Sequence, residues 1–322
     1  MDKYLAEEIY TLMVLGREFE YKAKEYYMQG YISGFLHLDI GQEALSVASM
    51  KAFSKGDVFT TYREHIMAIA KGISPNKVMA ELFGKATGVS GGKGGSMHIF
   101  DTSHFFYGGN AIVAGHIPNA VGCAYARKYQ GIDSGVMVVF GDGASNAGAF
   151  FESLNIASAQ KLPLVFLCEN NRYAIGTKIT RVSLFEHQSQ KAKAYMPTIE
   201  VDGMDAVAVY EAITKAKEYI QEGHGPIFVE AFTCRYEGHS VSDANSYRSK
   251  QEMDLCKQND PIAKQKEYLQ KSFELDDEYI ASLDAKAKEE VAKAVEYALQ
   301  SPEPQPKDRF ENLFCERRDY AL

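Results

Sequence analysis

Two short polar stretches interrupt the apolar middle of the chain and carry residues that could hold a charged ligand. The first is VVFGDGASN, in which a glycine flanks Asp142 on each side at the end of an apolar run. Aspartate is a poor strand residue and glycine costs backbone entropy in regular structure, so packing alone does not explain this sequence. The second is Asn170-Asn171, which follows the next apolar run. A carboxylate and an amide therefore stand at equivalent places after two apolar segments.

The segment between these stretches predicts that they lie together in the folded protein. Val136–Phe140 and Leu164–Cys168 are apolar runs of strand length, and a helical pattern covers about 146–160 between them. A strand, a helix and a second strand form a right-handed unit whose strand ends meet at one edge of a parallel sheet. Ligands of open α/β sheets bind at that edge. We therefore expect Asp142 and Asn171 to be neighbours.

The oxygen atoms of these two side chains suit a hard cation. One carboxylate, one amide oxygen and a backbone carbonyl form a sparse ligand set, typical of Mg²⁺ or Ca²⁺ held jointly with a phosphate-bearing molecule. Gly143 would let the backbone approach that phosphate at a helix N-terminus. The alternative is purely structural, with the glycines making a tight turn and Asn170-Asn171 a loop. The order of the motifs along the chain favours the metal site.

The remaining pattern is that of an α/β protein. Apolar periodicity and capping residues predict further helices and strands, with helices over 2–29, about 42–53, from Ser74-Pro75 to Gly84, and roughly 118–129 and 205–222, and strands near 198–201 and 226–234. Continuous apolar strands separated by amphipathic helices predict a parallel sheet with helices on both faces. We expect one domain over 1–322, with a helical segment at 1–55, an α/β core at 56–255 and a second helical segment at 256–322.

The glycine-rich segment from Gly84 to Gly109 is predicted to be an irregular loop. Long irregular segments within a compact domain are more often functional than not. This one is not a Walker phosphate-binding motif, because Gly94 follows Gly92-Lys93 where that motif needs serine or threonine.

The bulk composition limits the classes of function. The chain has 322 residues, of which 46% are hydrophobic and 24% charged, and its formal net charge is -8. These values allow a sizeable core and argue against a nucleic-acid partner. The apolar runs are too short to span a membrane, and the mixed charges near the N-terminus argue against a signal or transit peptide. Five scattered cysteines without a CxxC pair predict neither a disulfide framework nor a zinc site. We expect a cytoplasmic protein.

A family resemblance covers the chain from about Leu12 to Pro261. Gly141-Asp142-Gly143 followed by Asn170-Asn171 resembles the thiamine-diphosphate binding motif. The wider context resembles the alpha subunit of the heterotetrameric 2-oxoacid dehydrogenase decarboxylating component, and within it the pyruvate dehydrogenase branch. The matching stretches follow the family's order and are HLDIGQEAL, TYREH, ELFGKATG, GKGGSMH, FYGGNAIVAGHIP, CENNRYAIGT, VDGMD and GHSVSDANSYR.

The resemblance implies a thiamine-diphosphate-binding fold and a role for each matching residue. Mg²⁺ would be bound by the side chains of Asp142 and Asn171 and by the backbone carbonyl of Tyr173. The diphosphate would contact the backbone of Gly143 and Ala144 and the side chains of Tyr62, Arg63 and His239. Arginine suits this task because its guanidinium presents a fixed fork of donors to phosphate oxygens.

Further positions are implied for the rest of the cofactor and for the substrate. The backbone of Ala111–Val113, with contacts from Ala111 and Val113, would hold the aminopyrimidine. His37 would lie near a 2-oxoacid and is, with His239, the candidate catalytic residue. His37 also alternates with apolar neighbours in FLHLDI, so a satisfied core histidine is the alternative. His98 and His116 are secondary candidates, and Lys93 is as consistent with a solvated loop charge.

Three positions depart from the family pattern. Ala111 stands where glycine is usual, Glu237 replaces a residue that is often histidine, and Ala244-Asn245 replaces Asp-Pro. Ser240 and Ser246 match positions that are phosphorylated in mitochondrial relatives. Phosphate on Ser240 would add negative charge close to His239. Since no transit peptide is expected, we do not expect phosphorylation here.

The implied function is thiamine-diphosphate-dependent oxidative decarboxylation of pyruvate, with transfer of the acetyl unit to a lipoyl group on an acyltransferase. The glutamate that activates the cofactor in this family lies on a beta subunit, so the resemblance implies an α2β2 heterotetramer. Two alternatives remain at this point. One is an alpha subunit that acts on branched-chain 2-oxoacids or acetoin, and the other is a non-catalytic nucleotide- or phosphate-binding module.

Overall fold

A six-stranded parallel sheet lies at the centre of the protein. The computed structural model describes residues 1–311, and its strands are β1 Asp57–Thr61, β2 Phe106–Asn110, β3 Val136–Gly141, β4 Leu164–Asn170, β5 Tyr173–Ala174, β6 Thr177–Lys178, β7 Thr198–Asp202 and β8 Ile227–Phe232. The order across the large sheet is β2-β1-β3-β4-β8-β7, while β5 and β6 form a short antiparallel hairpin. All five pairings in the large sheet are parallel, as the apolar strands predicted.

Helices cover both faces of this sheet. They are α1 Lys3–Met28, α2 Glu43–Ala52, α3 His65–Ala70, α4 Pro75–Leu82, α5 Ile117–Tyr129, α6 Gly148–Ala159, α7 Ser189–Ala192, α8 Ala206–Gln221, α9 Lys250–Gln258, α10 Pro261–Phe273 and α11 Asp277–Gln300. Alternate residues of β3 show the two faces. Met137 and Val139 belong to the apolar core that contains α1, α2, α8 and α11, whereas Val138 and Phe140 belong to the core that contains α5 and α6. The predicted α/β architecture is confirmed.

The predicted helices agree with the structure to within a few residues, but four strands (β1, β2, β5 and β6) and three helices (α3, α7 and α9) were missed. β1 and β2 read as DVFTT and FYGGN, which are short and rich in polar residues or glycine. A buried strand that starts with aspartate is tolerated here because Asp57 pairs with Arg127 on α5, at 2.9 Å between Oδ1 and Nη2. The expectation of an irregular loop over 84–109 is therefore wrong at its end, where β2 joins the sheet.

Helices lie towards both ends of the described residues 1–311. The helical pattern over 2–29 corresponds to α1, and the tail after Asp260 forms α10 and α11. α11 is amphipathic rather than a purely surface helix, since it buries residues such as Val291 and Ala294. Residues 312–322 lie outside the described part of the chain. The predicted division into segments at residues 55 and 255 stays a prediction. No helix within 1–311 is long and apolar enough to cross a membrane.

One disulfide corrects the expectation from the cysteine spacing. Cys234 and Cys256 are bonded to each other, with 6.0 Å between their Cα atoms. Their separation of 22 residues resembles no short motif, and only the return of the chain from β8 to α9 brings them together. Cys123 and Cys168 are free thiols, and Cys315 lies outside the described residues.

Four strand ends position the polar residues that follow them. Gly141 on β3 pairs with Glu169 on β4, so both strands end at the same level. β1 flanks β3 on one side and β8 flanks β4 on the other. Because parallel strands all end at one edge, the residues after β1, β3, β4 and β8 converge there.

Replacing Cys256 by serine should loosen the loop between β8 and α9. No residue of α9 is buried, so the covalent link to Cys234 is a main anchor of this helix. The chain-entropy account of a loop of this size gives a loss of about 3 kcal/mol in the free energy of unfolding. The measurements are urea unfolding and limited proteolysis within 235–255.

Cys123→Ser is the matched control, because it removes a free, partly exposed thiol and leaves the disulfide intact. Reduction of the wild type with a dithiol should reproduce the effect of Cys256→Ser. Equal stability and equal protease resistance before and after reduction would contradict the prediction.

Candidate active site

A cleft opens at the carboxyl edge of the sheet and contains most of the predicted site residues. Its lining comes from the turns after four strands and from the segment before α5. Nine predicted residues line it, namely Tyr62, Arg63, Val113, Asp142, Gly143, Ala144, Asn171, Tyr173 and His239. His37 is buried immediately behind Tyr62 and His239, and Ala111 is not among the lining residues.

Unpartnered polar atoms concentrate around this cleft. Within residues 1–311, eight buried side-chain nitrogen or oxygen atoms lack a hydrogen-bond partner. Four belong to cleft residues and a fifth to His37; they are Nδ1 of His37, His116 and His239, Oδ2 of Asp142 and Oε1 of Glu169. Buried polar groups in folded proteins are normally paired, so this concentration indicates a site built for a polar ligand.

Asp142 is the buried carboxylate on the floor of the cleft. Only 1% of its surface is exposed, and burial raises its pKa to about 7. Ser145 fixes the turn by donating its hydroxyl to the Asp142 carbonyl at 2.7 Å. A carboxylate with one free oxygen and little solvent is stabilised by a bound cation, so this residue fits the predicted metal role.

Asn171 lines the same cleft as Asp142 and is held by two hydrogen bonds. Its Nδ2 donates to Oε1 of Gln42 at 3.0 Å, and its Oδ1 accepts from the backbone N–H of Tyr173 at 3.2 Å. The neighbouring Asn170 has a different task, since its amide donates to Glu230 at 2.6 Å and ties β4 to β8. Only the second asparagine of the pair lines the cleft.

Gly143 is required by a close approach to the β5–β6 hairpin. A Cβ atom at this position would lie 2.5 Å from the Cβ of Ala174. Any side chain at this position would therefore collide with the hairpin. Contact between the Gly143 backbone and a phosphate stays a prediction.

Two buried arginines make the cleft electropositive. Arg63 is 4% exposed and donates to the carbonyl of Leu38 and, at 2.7 Å, to that of His239. Arg235 is 2% exposed, and its Nη2 donates to the hydroxyl of Tyr247 at 2.8 Å. Burial and the nearby Arg63 lower the pKa of Arg235 to about 10. An anion in the cleft would relieve the repulsion between these two side chains.

Glu169 balances part of this positive charge. It is buried at the end of β4, and burial raises its pKa to about 7 against the opposing effect of Arg63 and Arg235. Sequence reasoning missed both Glu169 and Arg235. Their signal was positional, because each stands at or just beyond the end of a predicted strand, as Asp142 does.

Three aromatic rings form one cluster at the back of the cleft. The ring centroid of His37 lies 4.5 Å from that of Tyr62 and 5.0 Å from that of His239. Burial lowers the pKa of His37 to about 3 and that of His239 to about 4, with a further contribution from Arg63. Both imidazoles are therefore neutral hydrogen-bonding groups near pH 7. His37 is not a fully satisfied core histidine, because its Nδ1 has no partner.

The loop after β8 holds His239 in place. Asp243 accepts the backbone N–H of His239 at 2.6 Å and the hydroxyl of Tyr247 at 2.8 Å. Asn245 has a φ of 55°, a left-handed conformation that asparagine tolerates better than most residues. Glu237, one of the three departures from the family pattern, faces away from the cleft. Its carboxylate pairs with the Lys24 ammonium at 2.8 Å.

The secondary candidates His98, His116 and Lys93 lie in two different places. His116 lines the cleft, and its Nε2 bonds the Val139 carbonyl at 2.8 Å. His98 and Lys93 line a different surface depression, where the Lys93 ammonium donates to the Asp308 carbonyl at 3.2 Å.

A buried carboxylate pairs the backbone donors of the glycine-rich segment. Glu81 is fully buried, and its two oxygens accept four backbone N–H groups, from Ser90, Gly92, Gly94 and Gly95, at 2.7 to 3.1 Å. Such a ring of N–H groups is the arrangement that proteins use to bind anions. Here a side chain of the same chain occupies it.

Comparison with known proteins assigns the chain to a family. The family model described as the dehydrogenase E1 component matches residues 10–307. The chain belongs to the dehydrogenase E1 component family. It is 42% identical over 308 residues to the pyruvate dehydrogenase E1 component subunit alpha of Rhizobium meliloti, covering 94% of this chain and 88% of the relative.

Other relatives have the same description. The Zymomonas mobilis pyruvate dehydrogenase E1 component subunit alpha is 41% identical over 310 residues, which cover 95% of this chain and 87% of the relative. The corresponding protein of Porphyra purpurea is 42% identical over 317 residues, which cover 96% and 92% of the two chains. The resemblance to the E1 alpha family is confirmed.

Replacing Glu81 by glutamine should destabilise the glycine-rich segment next to the site. An amide offers one acceptor oxygen in place of two and directs an N–H₂ group at backbone donors. The cost of such unpaired buried donors is about 1–3 kcal/mol in the free energy of unfolding. Urea unfolding followed by circular dichroism measures it.

Glu290→Gln is the control, because Glu290 is an exposed residue of α11. Surface substitutions of this kind change stability by about 0.5 kcal/mol or less. If Glu81→Gln were as stable as this control, the backbone donors would not depend on the carboxylate.

Proposed function

We propose that this chain is the alpha subunit of the decarboxylating component of a pyruvate dehydrogenase complex. It would bind thiamine diphosphate with Mg²⁺ and take part in the oxidative decarboxylation of pyruvate, with transfer of the acetyl unit to a lipoyl group. The names of its relatives support the reaction and the substrate. The observation that carries the proposal is the concentration of unpartnered buried polar groups in the cleft, beside two buried arginines.

The residues of the cleft fit thiamine diphosphate and its metal. Asp142, Asn171 and the carbonyl of Tyr173 supply hard oxygen ligands, the type that Mg²⁺ prefers. No group of three His, Cys, Asp or Glu that could hold a metal occurs within 1–311. A single carboxylate, completed by an amide, a carbonyl and phosphate oxygens, is the arrangement expected when protein and diphosphate share the ion.

The diphosphate would lie between the turn after β3 and the positive side chains opposite. Backbone N–H groups of Gly143 and Ala144 would donate from one side, and Arg63 and His239 from the other. When bound, thiamine diphosphate supplies the electron sink that loss of carbon dioxide from a 2-oxoacid needs. The chain itself would bind and orient this group, balance its charge and exclude water. His37, at the back of the same ring cluster, would lie near the substrate.

Exposed apolar side chains at the mouth of the cleft support the proposal that a second subunit binds there. Val113 and Ile175 line the cleft but are 56% and 62% exposed, and Ile112, which precedes Val113, is 71% exposed. Exposed apolar side chains that form a patch often mark a site where another protein binds. We propose that the beta subunit covers them in an α2β2 heterotetramer and contributes the activating glutamate. A lipoyl-bearing acyltransferase would then accept the acetyl unit in the cytoplasm.

Asp142→Asn should weaken Mg²⁺-dependent binding of thiamine diphosphate by roughly 100-fold or more, because loss of even supporting groups costs 10- to 100-fold at metal sites. The amide has similar size but no charge. Isothermal titration with the cofactor, in Mg²⁺ and in a chelator, measures the effect. The wild type in chelator should bind as weakly as the variant.

Asp133→Asn is the control, since Asp133 is exposed in the loop before β3. An Asp142→Asn protein with wild-type affinity in Mg²⁺ would refute the metal assignment. Failure of the wild type to bind the cofactor, alone and with its beta subunit, would refute the proposed function itself.

The chain alone should not decarboxylate any 2-oxoacid, because the activating glutamate would come from the partner. Assembly with the cognate beta subunit should give activity, with the highest kcat/KM for pyruvate in a panel that includes 2-oxoisovalerate and acetoin. Full activity without the partner would contradict the subunit proposal. A preference for either of the other substrates would move the chain to that branch of the family.

A further inference from the structure

The backbone of segment 37–39, which carries His37, is held by side chains rather than by secondary structure. Residues 35–39 belong to no helix or strand. The N–H of His37 donates to Ser96 Oγ at 3.4 Å, and the N–H of Asp39 donates to Glu20 Oε1 at 3.1 Å. The carbonyl between them, that of Leu38, accepts from Arg63. Buried backbone groups need such partners, so these side chains determine the path of the segment.

One histidine joins the two anchors into a single hydrogen-bonded chain. His65 Nδ1 lies 2.9 Å from Glu20 Oε2, and His65 Nε2 lies 2.9 Å from Ser96 Oγ. Glu20 and His65 are fully buried and Ser96 is 5% exposed. The three residues come from α1, α3 and the one-turn helix Gly95–Met97. Three separate parts of the fold therefore meet on the segment that carries His37.

The position of the hydrogen on His65 decides the direction of this chain. With the hydrogen on Nδ1, His65 would donate to the Glu20 carboxylate and accept the hydroxyl hydrogen of Ser96 at Nε2; with a hydrogen on Nε2, it would donate to Ser96 Oγ or to the Ser96 carbonyl, which lies 3.2 Å away. In both cases Ser96 Oγ keeps a lone pair for the N–H of His37. Removal of the Ser96 hydroxyl therefore leaves this buried N–H without its acceptor.

The order serine, histidine, carboxylate resembles a nucleophilic triad, but its surroundings do not. A nucleophilic serine needs access to a substrate and an oxyanion site. Ser96 is buried, and its oxygen already accepts the backbone of the His37 segment. The contacts therefore suit positioning and not nucleophilic attack.

We propose that Glu20, His65 and Ser96 are positioning residues for His37. They fix the backbone on both sides of Leu38 and so keep the His37 ring against Tyr62 and His239, at centroid distances of 4.5 and 5.0 Å. The inference rests on the proposed function, in which His37 meets the 2-oxoacid. Small displacements of a group that orients a substrate cost up to about 100-fold in rate, which gives this distant chain a measurable effect.

The test uses Ser96→Ala in the enzyme assembled with its beta subunit. We expect kcat/KM for pyruvate to fall roughly 10- to 100-fold. The affinity for thiamine diphosphate should stay at the wild-type value, because Ser96 does not line the cleft. Ser96→Thr, which keeps the hydroxyl, should recover most of the rate. Ser49→Ala is the control, since it removes another buried hydroxyl that bonds only the Ser46 carbonyl, at 3.4 Å.

A double variant separates positioning from general damage. If Ser96 acts through His37, then His37→Ala with Ser96→Ala should be no slower than His37→Ala alone. Multiplicative losses would show that Ser96 acts elsewhere and would overturn the proposal. So would a Ser96→Ala enzyme with wild-type kcat/KM.

A crystal structure of the Ser96→Ala chain gives a readout that needs neither cofactor nor activity. We expect the His37 ring to leave its place against Tyr62 and His239. An unmoved ring would overturn the positioning role. If the wild-type assembly decarboxylates no 2-oxoacid but the ring moves in the variant, the proposed function fails and the positioning of His37 stands.

Discussion

The parallel pairing of β3 with β4 is the constraint on which the site depends. Gly141 stands opposite Glu169, so the two strands end together and release Asp142 and Asn171 into one cleft. A shift of this pairing by one residue would turn every side chain of β4 to the other face of the sheet. Because both faces of β4 are buried, such a shift would exchange the residues that pack in the two cores. The stability of the core and the geometry of the site therefore have the same origin.

The cleft combines buried charges with hydrogen-bonding atoms that have no partner within residues 1–311. Two arginines and two carboxylates are almost completely buried there, an arrangement that water cannot compensate. Arg63 donates to a backbone carbonyl and Arg235 to the hydroxyl of Tyr247. Within residues 1–311, Asp142 and Glu169 each have one oxygen without a hydrogen-bond partner. A protein gains nothing in stability from such groups. The proposed ligand, which combines a cation with a polyanion, would pair them.

Two places in this fold are shaped for an anion, and the protein uses them differently. The glycine-rich segment after α4 directs four backbone N–H groups at Glu81, so these donors are already paired within the chain. The turn after β3 lines the cleft, and its Gly143 packs too closely against Ala174 to carry a side chain. The contacts of Glu81 hold the segment next to Ser96, whereas the turn after β3 lies on the cleft. Glycine content alone does not distinguish them.

The sequence by itself determined the features that depend on neighbours in the chain. Helical periodicity located α1, α5 and α8, and continuous apolar runs located β3, β4 and β8; the handedness of the unit between β3 and β4 then placed Asp142 beside Asn171. The roles proposed for Arg63 and His239 came from the family resemblance. Only the tertiary structure decided what depends on distant partners: β1, whose buried Asp57 needs Arg127; Arg235 in the cleft; the disulfide between Cys234 and Cys256; and the chain from Glu20 to His37. These contacts join residues far apart in sequence, so no local pattern reports them.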